Sequence, residues 1–282
     1  MRRGLGLSLT MVLALLASTV PASAQACTDS GTPVNFGTYT GTLLNSVGTV
    51  TVTCKGNVAW QLRLDAGLGV GATVTTRNMT GPAGAKLNYG LFQDSARTIN
   101  FDNLSGTGNG SAQPFSTYGQ VAAGQFVIPG LYTDTITATV TASGNSFPAT
   151  FTVNATVQAT CLVSATAMAF GTYSTAAVTS TSVLSFTCTN TTLYTVSLSA
   201  GLATGATVTN RSMTGPASAL LGYKLFSDSG RTINWGNTVG INTVAGVGNG
   251  ASQSLTVYGQ IPAGQFVRPG SYADTITATV TY

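Results

Sequence analysis

The side chains that most often do chemistry in proteins are scarce in this sequence of 282 residues. It contains no His, and its acidic residues are all Asp. It therefore lacks an imidazole base, and it offers few candidates for a pair of catalytic carboxylates. It also lacks a Gly-x-Ser-x-Gly motif that would present a serine nucleophile. We therefore expect no enzymatic activity, no cofactor and no metal site. The remaining side chains with distinctive reactivity are four cysteines.

The N-terminus has the features of a secretory signal peptide. Arg2-Arg3 precedes the mostly apolar run 5–20, and Ala22-Ser23-Ala24 fits a small-x-small cleavage site. We therefore predict that residues 1–24 are removed on secretion, with cleavage after Ala26 as the alternative. No later apolar run reaches the length of a transmembrane helix.

The four cysteines form two equally spaced pairs. Cys27 and Cys54 are 27 positions apart, and so are Cys161 and Cys188. In an exported protein this repeated spacing indicates two disulfides, one in each half of the chain. Metal ligation is the alternative, but the chain offers neither His nor a short Cys-x-x-Cys motif. Lipid modification of Cys27 is another alternative, although the residues before it lack the usual Leu.

The charge of the chain is small and evenly spread. The formal net charge of +4 includes the two arginines of the signal peptide, so the secreted chain carries two fewer positive charges. We therefore expect neither a nucleic acid nor an acidic lipid surface as the partner.

The rest of the sequence consists of two copies of one unit. Phe36-Gly-Thr-Tyr39 recurs as Phe170-Gly-Thr-Tyr173, 134 positions later. Arg77-Asn-Met-Thr-Gly-Pro-Ala83 recurs at the same offset as Arg211-Ser-Met-Thr-Gly-Pro-Ala217. Two repeats of this length predict tandem domains, because solenoid repeats are shorter and more numerous.

Each copy contains about seven short segments in which apolar and polar residues alternate, separated by Gly, Asn and Pro. This pattern predicts an all-β chain of two tandem immunoglobulin-like β-sandwich domains, at residues 25–158 and 159–282. In the first copy, the predicted strands lie near residues 33–40, 47–54, 58–65, 86–93, 97–102, 113–121, 131–141 and 147–157.

The two copies differ after their closing strand. In the first copy, the alternating run 131–141 is followed by a second alternating run at 147–157. In the second copy, the matching strand carries Ile276, Ala278 and Val280, and no such run comes after it. We therefore expect the second domain to lack its last strand, with these three residues facing a groove that another chain fills.

Several motifs occur in both copies: Phe36-Gly-Thr-Tyr39 after a Cys, the central Leu87-x-Tyr89-x-Leu91-Phe92-x-Asp94-x-x-Arg97, and a long closing run from Tyr118 to Thr141. Together they resemble the spore coat protein U domain of archaic (Csu-type) chaperone–usher pili. The resemblance implies a pilin fold that lacks its last strand. A periplasmic chaperone, and then a donor strand from the adjacent pilus subunit, would fill the gap during assembly at the outer-membrane usher.

The resemblance further implies that a two-domain subunit of this kind is the tip adhesin, with the receptor domain first and the pilin domain second. After signal cleavage at most two residues precede Cys27, so we expect the chain to accept a donor strand without donating one. This predicts a secreted protein at the pilus tip on the cell surface, active in attachment and biofilm formation. The alternative is a structural coat or fibre subunit that polymerises.

Surface-binding residues are expected at the pole of the first domain that lies away from the second. The loops predicted there contain three apolar residues without a counterpart in the second copy, namely Val58, Leu104 and Phe147. Alternatively, Val58 and Phe147 merely begin strands and point into the core. Extra strands would instead reverse the poles and bring Leu68 and Val70 to the tip.

Charged residues that are present in both copies are expected to serve the shared scaffold, as ion pairs or turns, with ligand binding as the alternative. These pairs are Arg77 and Arg211, Asp94 and Asp228, Arg97 and Arg231, and Asp134 and Asp274.

Overall fold

The computed structural model describes residues 26–282, so the predicted signal peptide and its cleavage site lie outside the described residues. Nearly all regular structure in this part is β, apart from two short 3₁₀ turns at Pro82–Gly84 and Pro216–Ser218. Within residues 26–282 no helix is long and apolar enough to cross a membrane.

Ten strands of the first domain form one hydrogen-bonded sheet that curls into a sandwich. Its order is β1-β3-β8-β6-β5-β9-β10-β2, and β4 pairs with both β9 and β7. The strands are β1 (Cys27–Gly31), β2 (Val34–Tyr39), β3 (Leu44–Cys54), β4 (Ala59–Leu64), β5 (Arg77–Thr80), β6 (Lys86–Phe92), β7 (Leu104–Thr107), β8 (Ala112–Val121), β9 (Gly130–Ala142) and β10 (Asn145–Val157).

The second domain repeats this arrangement with fewer strands. They form a five-stranded sheet, β11-β12-β17-β15-β14, and a three-stranded sheet, β16-β13-β18. The strands are β11 (Cys161–Ala165), β12 (Val178–Cys188), β13 (Leu193–Leu198), β14 (Arg211–Thr214), β15 (Leu220–Phe226), β16 (Val244–Val247), β17 (Ser252–Ile261) and β18 (Ala278–Thr281).

Each domain has a hydrophobic core of its own, as alternation of apolar and polar residues along two packed layers requires. The first core contains the buried Trp60 and the second contains the buried Trp235. The immunoglobulin-like sandwich predicted from the alternating segments is confirmed for both domains.

The predicted strand at 97–102 is wrong, because this stretch forms a turn. The Asp94 carboxylate accepts hydrogen bonds from the backbone N–H of Ile99, at 2.8 Å, and of Thr98, at 3.0 Å. Such local side-chain bonds compete with the strand ladder. They also hold the pKa of Asp94 below its usual value. The strand that was expected here lies a few residues later, as β7.

Candidate functional site: an open groove in the second domain

Strand β10 completes the first domain. It pairs antiparallel with β9 along its whole length and parallel with β2. Its inward-facing side chains, Phe151, Val153, Ala155 and Val157, are each at most 4% exposed. Burial of a large apolar side chain contributes about 1.5–3 kcal/mol, so this strand supplies a substantial part of the domain's stability.

Strand β2 depends on β10. In the first domain Phe36 and Tyr39 are buried, and the segment is a strand because β10 lies beside it. In the second domain the identical sequence Phe170-Gly-Thr-Tyr173 is only partly buried and forms no strand. Since the two sequences are the same, the neighbouring strand decides the conformation.

The position that β10 fills in the first domain is an open groove in the second. The groove contains a cavity of about 380 Å³ between the two sheets. Apolar side chains form much of its walls, and water wets these side chains at a cost in free energy. The walls include Ala165, Phe170, Leu184, Leu225, Ile276 and Ala278.

The three residues predicted to face the groove lie on or next to β18. Ile276 and Ala278 line the cavity, and Val280 pairs with Val196 of β13. All three are partly buried and pack against the second core. Their counterparts in the first domain are Ile136, Ala138 and Val140. These three are 0% exposed, because β10 covers them.

Sequence reasoning missed the opposite wall of the groove. Ala165 and Phe170 come from the start of the domain, more than 100 positions before Ile276. The internal repeat could have identified them, because they align with Gly31 and Phe36, which lie next to β10 in the first domain.

The cysteines form two disulfides, as their spacing predicted. Cys27–Cys54 joins β1 to β3, and Cys161–Cys188 joins β11 to β12. The strand between the joined pair, β2, lies beside β10. Because every cysteine of the described residues is oxidised, none is available as a thiolate metal ligand.

The duplicated charges hold the scaffold together. Arg77 is 0% exposed, and its guanidinium donates hydrogen bonds to four backbone carbonyls. Arg211 makes the equivalent bonds in the second domain. Asp134 accepts hydrogen bonds from the Tyr89 hydroxyl, at 2.7 Å, and from the Leu68 backbone N–H, at 2.8 Å. Burial, reinforced by this carboxylate, raises the pKa of Tyr89 well above its usual value.

The two poles of the first domain are set by β10. It begins next to the hairpin 143–144 and ends at the linker 158–160, which leads into the second domain. At the linker pole, the Phe126 carbonyl accepts a hydrogen bond of 2.9 Å from the Asn190 backbone N–H of the second domain. Trp60 pairs with Ala142, next to the hairpin, and Ala59 pairs with Thr107, so the hairpin and the loops 55–58 and 107–111 form the far pole.

The predicted surface residues lie near the far pole or on strands that run toward it. Val58 directly precedes β4, Leu104 pairs with Leu62, and Phe147 pairs with Val140. All three are partly exposed and pack against the first core. The backbone N–H of Leu68 donates to Asp134, which lies nearer the linker end of β9 than the hairpin end. The loop with Leu68 is therefore not at the far pole.

Asp29 is an acid next to the β10 site of the first domain. Its Oδ2 is buried and has no hydrogen-bond partner among the described residues. Desolvation raises the pKa of Asp29 from 3.8 to about 6. In the second domain the same position is Val163.

We expect the first domain to lose stability as the pH rises from 3.8 to about 6, through the titration of Asp29. A carboxyl whose pKa is raised by folding binds its proton more tightly in the folded state, so stability is highest below the unfolded pKa. Because the side chain is only partly buried, the loss should be on the order of 1 kcal/mol. Urea unfolding between pH 4 and pH 7 measures it.

Asp29→Asn should remove this part of the pH dependence and stabilise the domain at pH 7. Asp94→Asn is the control. The pKa of Asp94 is lowered, so its contribution has the opposite sign and is lost as the pH falls. An unchanged slope in Asp29→Asn would show that Asp29 is not the titrating group.

An immunoglobulin-like sandwich with an open groove at its last strand has a pilin-type fold. The chain belongs to the Spore Coat Protein U domain family, whose model matches residues 12–139 and 147–279. Protein U of Myxococcus xanthus is 36% identical over 129 residues, which covers 39% of this chain and 72% of that protein.

A solved structure is similar over both domains. It is a chain of the CsuC–CsuE chaperone–tip adhesion subunit pre-assembly complex from the archaic chaperone–usher Csu pili of Acinetobacter baumannii. The match has a TM-score of 0.55 and 18% identity, and it covers 91% of this chain and 100% of the other. At this identity the similarity concerns the fold.

Proposed function

We propose that this protein is the two-domain tip adhesin of a chaperone–usher pilus, which attaches cells to surfaces and promotes biofilm formation. The observation that carries the proposal is the contrast between two copies of one domain. The first groove is filled by β10 of the same chain, whereas the second is open and apolar. A periplasmic chaperone covers the open groove before assembly at the outer-membrane usher, and a donor strand of the adjacent subunit fills it afterwards.

The junction between the domains supports this interpretation. Only residues 158–160 separate β10 from β11, so a donor strand for one domain continues directly into the next domain. The Phe126 loop contacts the second domain at this junction, through its bond with Asn190. Its counterpart, Phe266, is 90% exposed, on the surface where a following subunit would lie.

The proposed adhesive surface is the far pole of the first domain. Val58 and Phe147 lie near it, Leu104 lies on β7 leading toward it, and each is partly exposed. The loop residues around them are mainly small and polar, including Asn57, Asn109 and the hairpin at 143–146. Partly exposed apolar side chains among small polar residues are suited to adhesion on a solid or host surface.

Immunogold labelling with an antibody against residues 25–158 tests the position of the protein on intact cells. We expect gold at the ends of the fibres and reduced surface attachment when the gene is deleted. Labelling along the whole fibre would favour the alternative, a structural subunit that polymerises.

The two domains should unfold separately, the second at the lower denaturant concentration. Its groove leaves apolar side chains exposed to water, and within residues 26–282 β18 pairs with one strand, β13. The sequence contains two tryptophans, Trp60 in the first core and Trp235 in the second. Fluorescence of the Trp60→Phe and Trp235→Phe variants therefore reports each domain alone. Coincident transitions would contradict an incomplete second domain.

A further inference from the structure

We propose that Ala165 determines which donor strands the second groove accepts. Its methyl group excludes β10 of a second copy of this chain and admits donor strands with Gly or Ala at the position of Phe151. The inference rests on the proposed strand acceptance and names which strands are accepted.

The first domain shows why this position matters. Phe151 of β10 lies directly over Gly31 of β1. A Cβ atom added to Gly31 would lie 2.5 Å from Cδ1 of Phe151 and 2.9 Å from its Cβ and Cγ. These distances are well below van der Waals contact, so the ring fits only because position 31 carries no side chain.

Ala165 occupies this position in the second domain. Gly31 and Ala165 both lie four residues after the first cysteine of their disulfide. They also pair with equivalent residues, Val50 on β3 and Leu184 on β12. The second groove therefore carries a methyl group where the ring of Phe151 would lie. Leu184 is also longer than Val50 and lines the cavity, which narrows the groove further.

Part of the remaining wall is the same in both domains, so a donor strand can use the same register there. Tyr89, Leu91 and Ile136 of the first domain correspond to Tyr223, Leu225 and Ile276 of the second. The last three line the cavity. The conflict between Ala165 and a donor strand therefore concerns the Phe151 position, where a side chain no larger than a methyl needs only a small backbone shift to fit.

This mismatch has a consequence for assembly. Since β10 is the strand that every copy carries, an unselective second groove would allow copies to pair with each other by strand exchange. Ala165 disfavours this pairing by size and leaves the groove available to a strand with a smaller residue.

Binding of synthetic peptides to the intact secreted chain tests the proposal. The peptides comprise residues 145–158, either unchanged or with Phe151→Ala or Phe151→Gly, and fluorescence anisotropy gives each Kd. We expect the two small-residue peptides to bind at least tenfold more tightly than the unchanged peptide. In the Ala165→Gly chain the unchanged peptide should bind more tightly, and the difference in Kd between it and the small-residue peptides should become smaller. A peptide with Val153→Asp, which carries a charge into the groove, is the non-binding control.

The outcomes separate the two proposals. Equal affinity of the unchanged and Phe151→Ala peptides overturns selection at Ala165 but leaves strand acceptance intact. Binding of none of the peptides overturns strand acceptance, and with it both proposals.

A double-mutant cycle in the first domain gives a readout without any peptide. Gly31→Ala should destabilise the first domain strongly in the native background and much less in the Phe151→Ala background. Additive effects of the two substitutions would overturn the steric argument.

Discussion

Val153→Asp should destabilise the first domain by at least about 4 kcal/mol and leave the second domain unchanged. Val153 is fully buried on β10, between β9 and β2. An aspartate there must either bury a charge without a partner or pull the strand out of the sandwich. Urea unfolding followed by Trp60 fluorescence, in a Trp235→Phe background, measures the loss.

Thr152→Asp is the matched control for this variant. Thr152 precedes Val153 on the same strand but is exposed to solvent. We expect a change within about 0.5 kcal/mol, as is usual for surface substitutions. If both variants unfold at the same urea concentration, β10 does not complete the first core.

Arg77→Met should cost the first domain about 3–5 kcal/mol. The guanidinium donates to the carbonyls of Leu64, Asp65, Val74 and Phe101, and its loss leaves buried acceptors without a donor. Methionine retains the length and most of the apolar volume of the side chain, so the loss reports mainly the hydrogen bonds. Trp60 fluorescence in urea measures it.

Arg63→Met controls for the change in net charge. Arg63 is an exposed residue of β4, so its replacement should change stability little. The unfolding transition of Trp235 provides a second reference within the same molecule. A loss of equal size in Arg63→Met would mean that charge, rather than the buried bonds, explains the effect.

The sequence predicted those parts of the fold in which the local pattern decides the structure. The alternating residues of β9 and β10 are buried and exposed as their pattern indicates. The stretch 97–102 was assigned wrongly because hydrogen bonds to the Asp94 side chain overrule its strand-like composition. Strands β1 and β5 escaped prediction because they have only five and four residues.

The candidate site was only partly predictable, because it depends on contacts between distant segments. Alternation indicated which way Ile276 and Ala278 point, but nothing local marks Ala165 as the opposite wall. Phe36-Gly-Thr-Tyr39 and Phe170-Gly-Thr-Tyr173 show this limit most directly. The same four residues form a strand in one domain and not in the other, since β10 lies beside the first copy and no strand within residues 26–282 lies beside the second.

Duplication was the more reliable guide to the charged residues. It indicated that Arg77 and Asp134 serve the scaffold, and both are used inside the domain. The type of interaction that these residues make could not be predicted from the sequence. Arg77 was expected in an ion pair or a turn, but its hydrogen bonds reach carbonyls that the fold alone brings together.

The direction of β10 determines how the proposed adhesin would bear mechanical load. The strand begins near the far pole and leaves the domain at Val157, toward the second domain. A pulling force between a surface bound at that pole and a fibre attached to the second domain therefore acts along the strand axis. The 13-residue ladder with β9 is then loaded in shear, so its hydrogen bonds share the force and do not open one at a time. Under flow, this geometry would favour slow rupture of the domain, because forced unfolding is governed by the rate of the unfolding step.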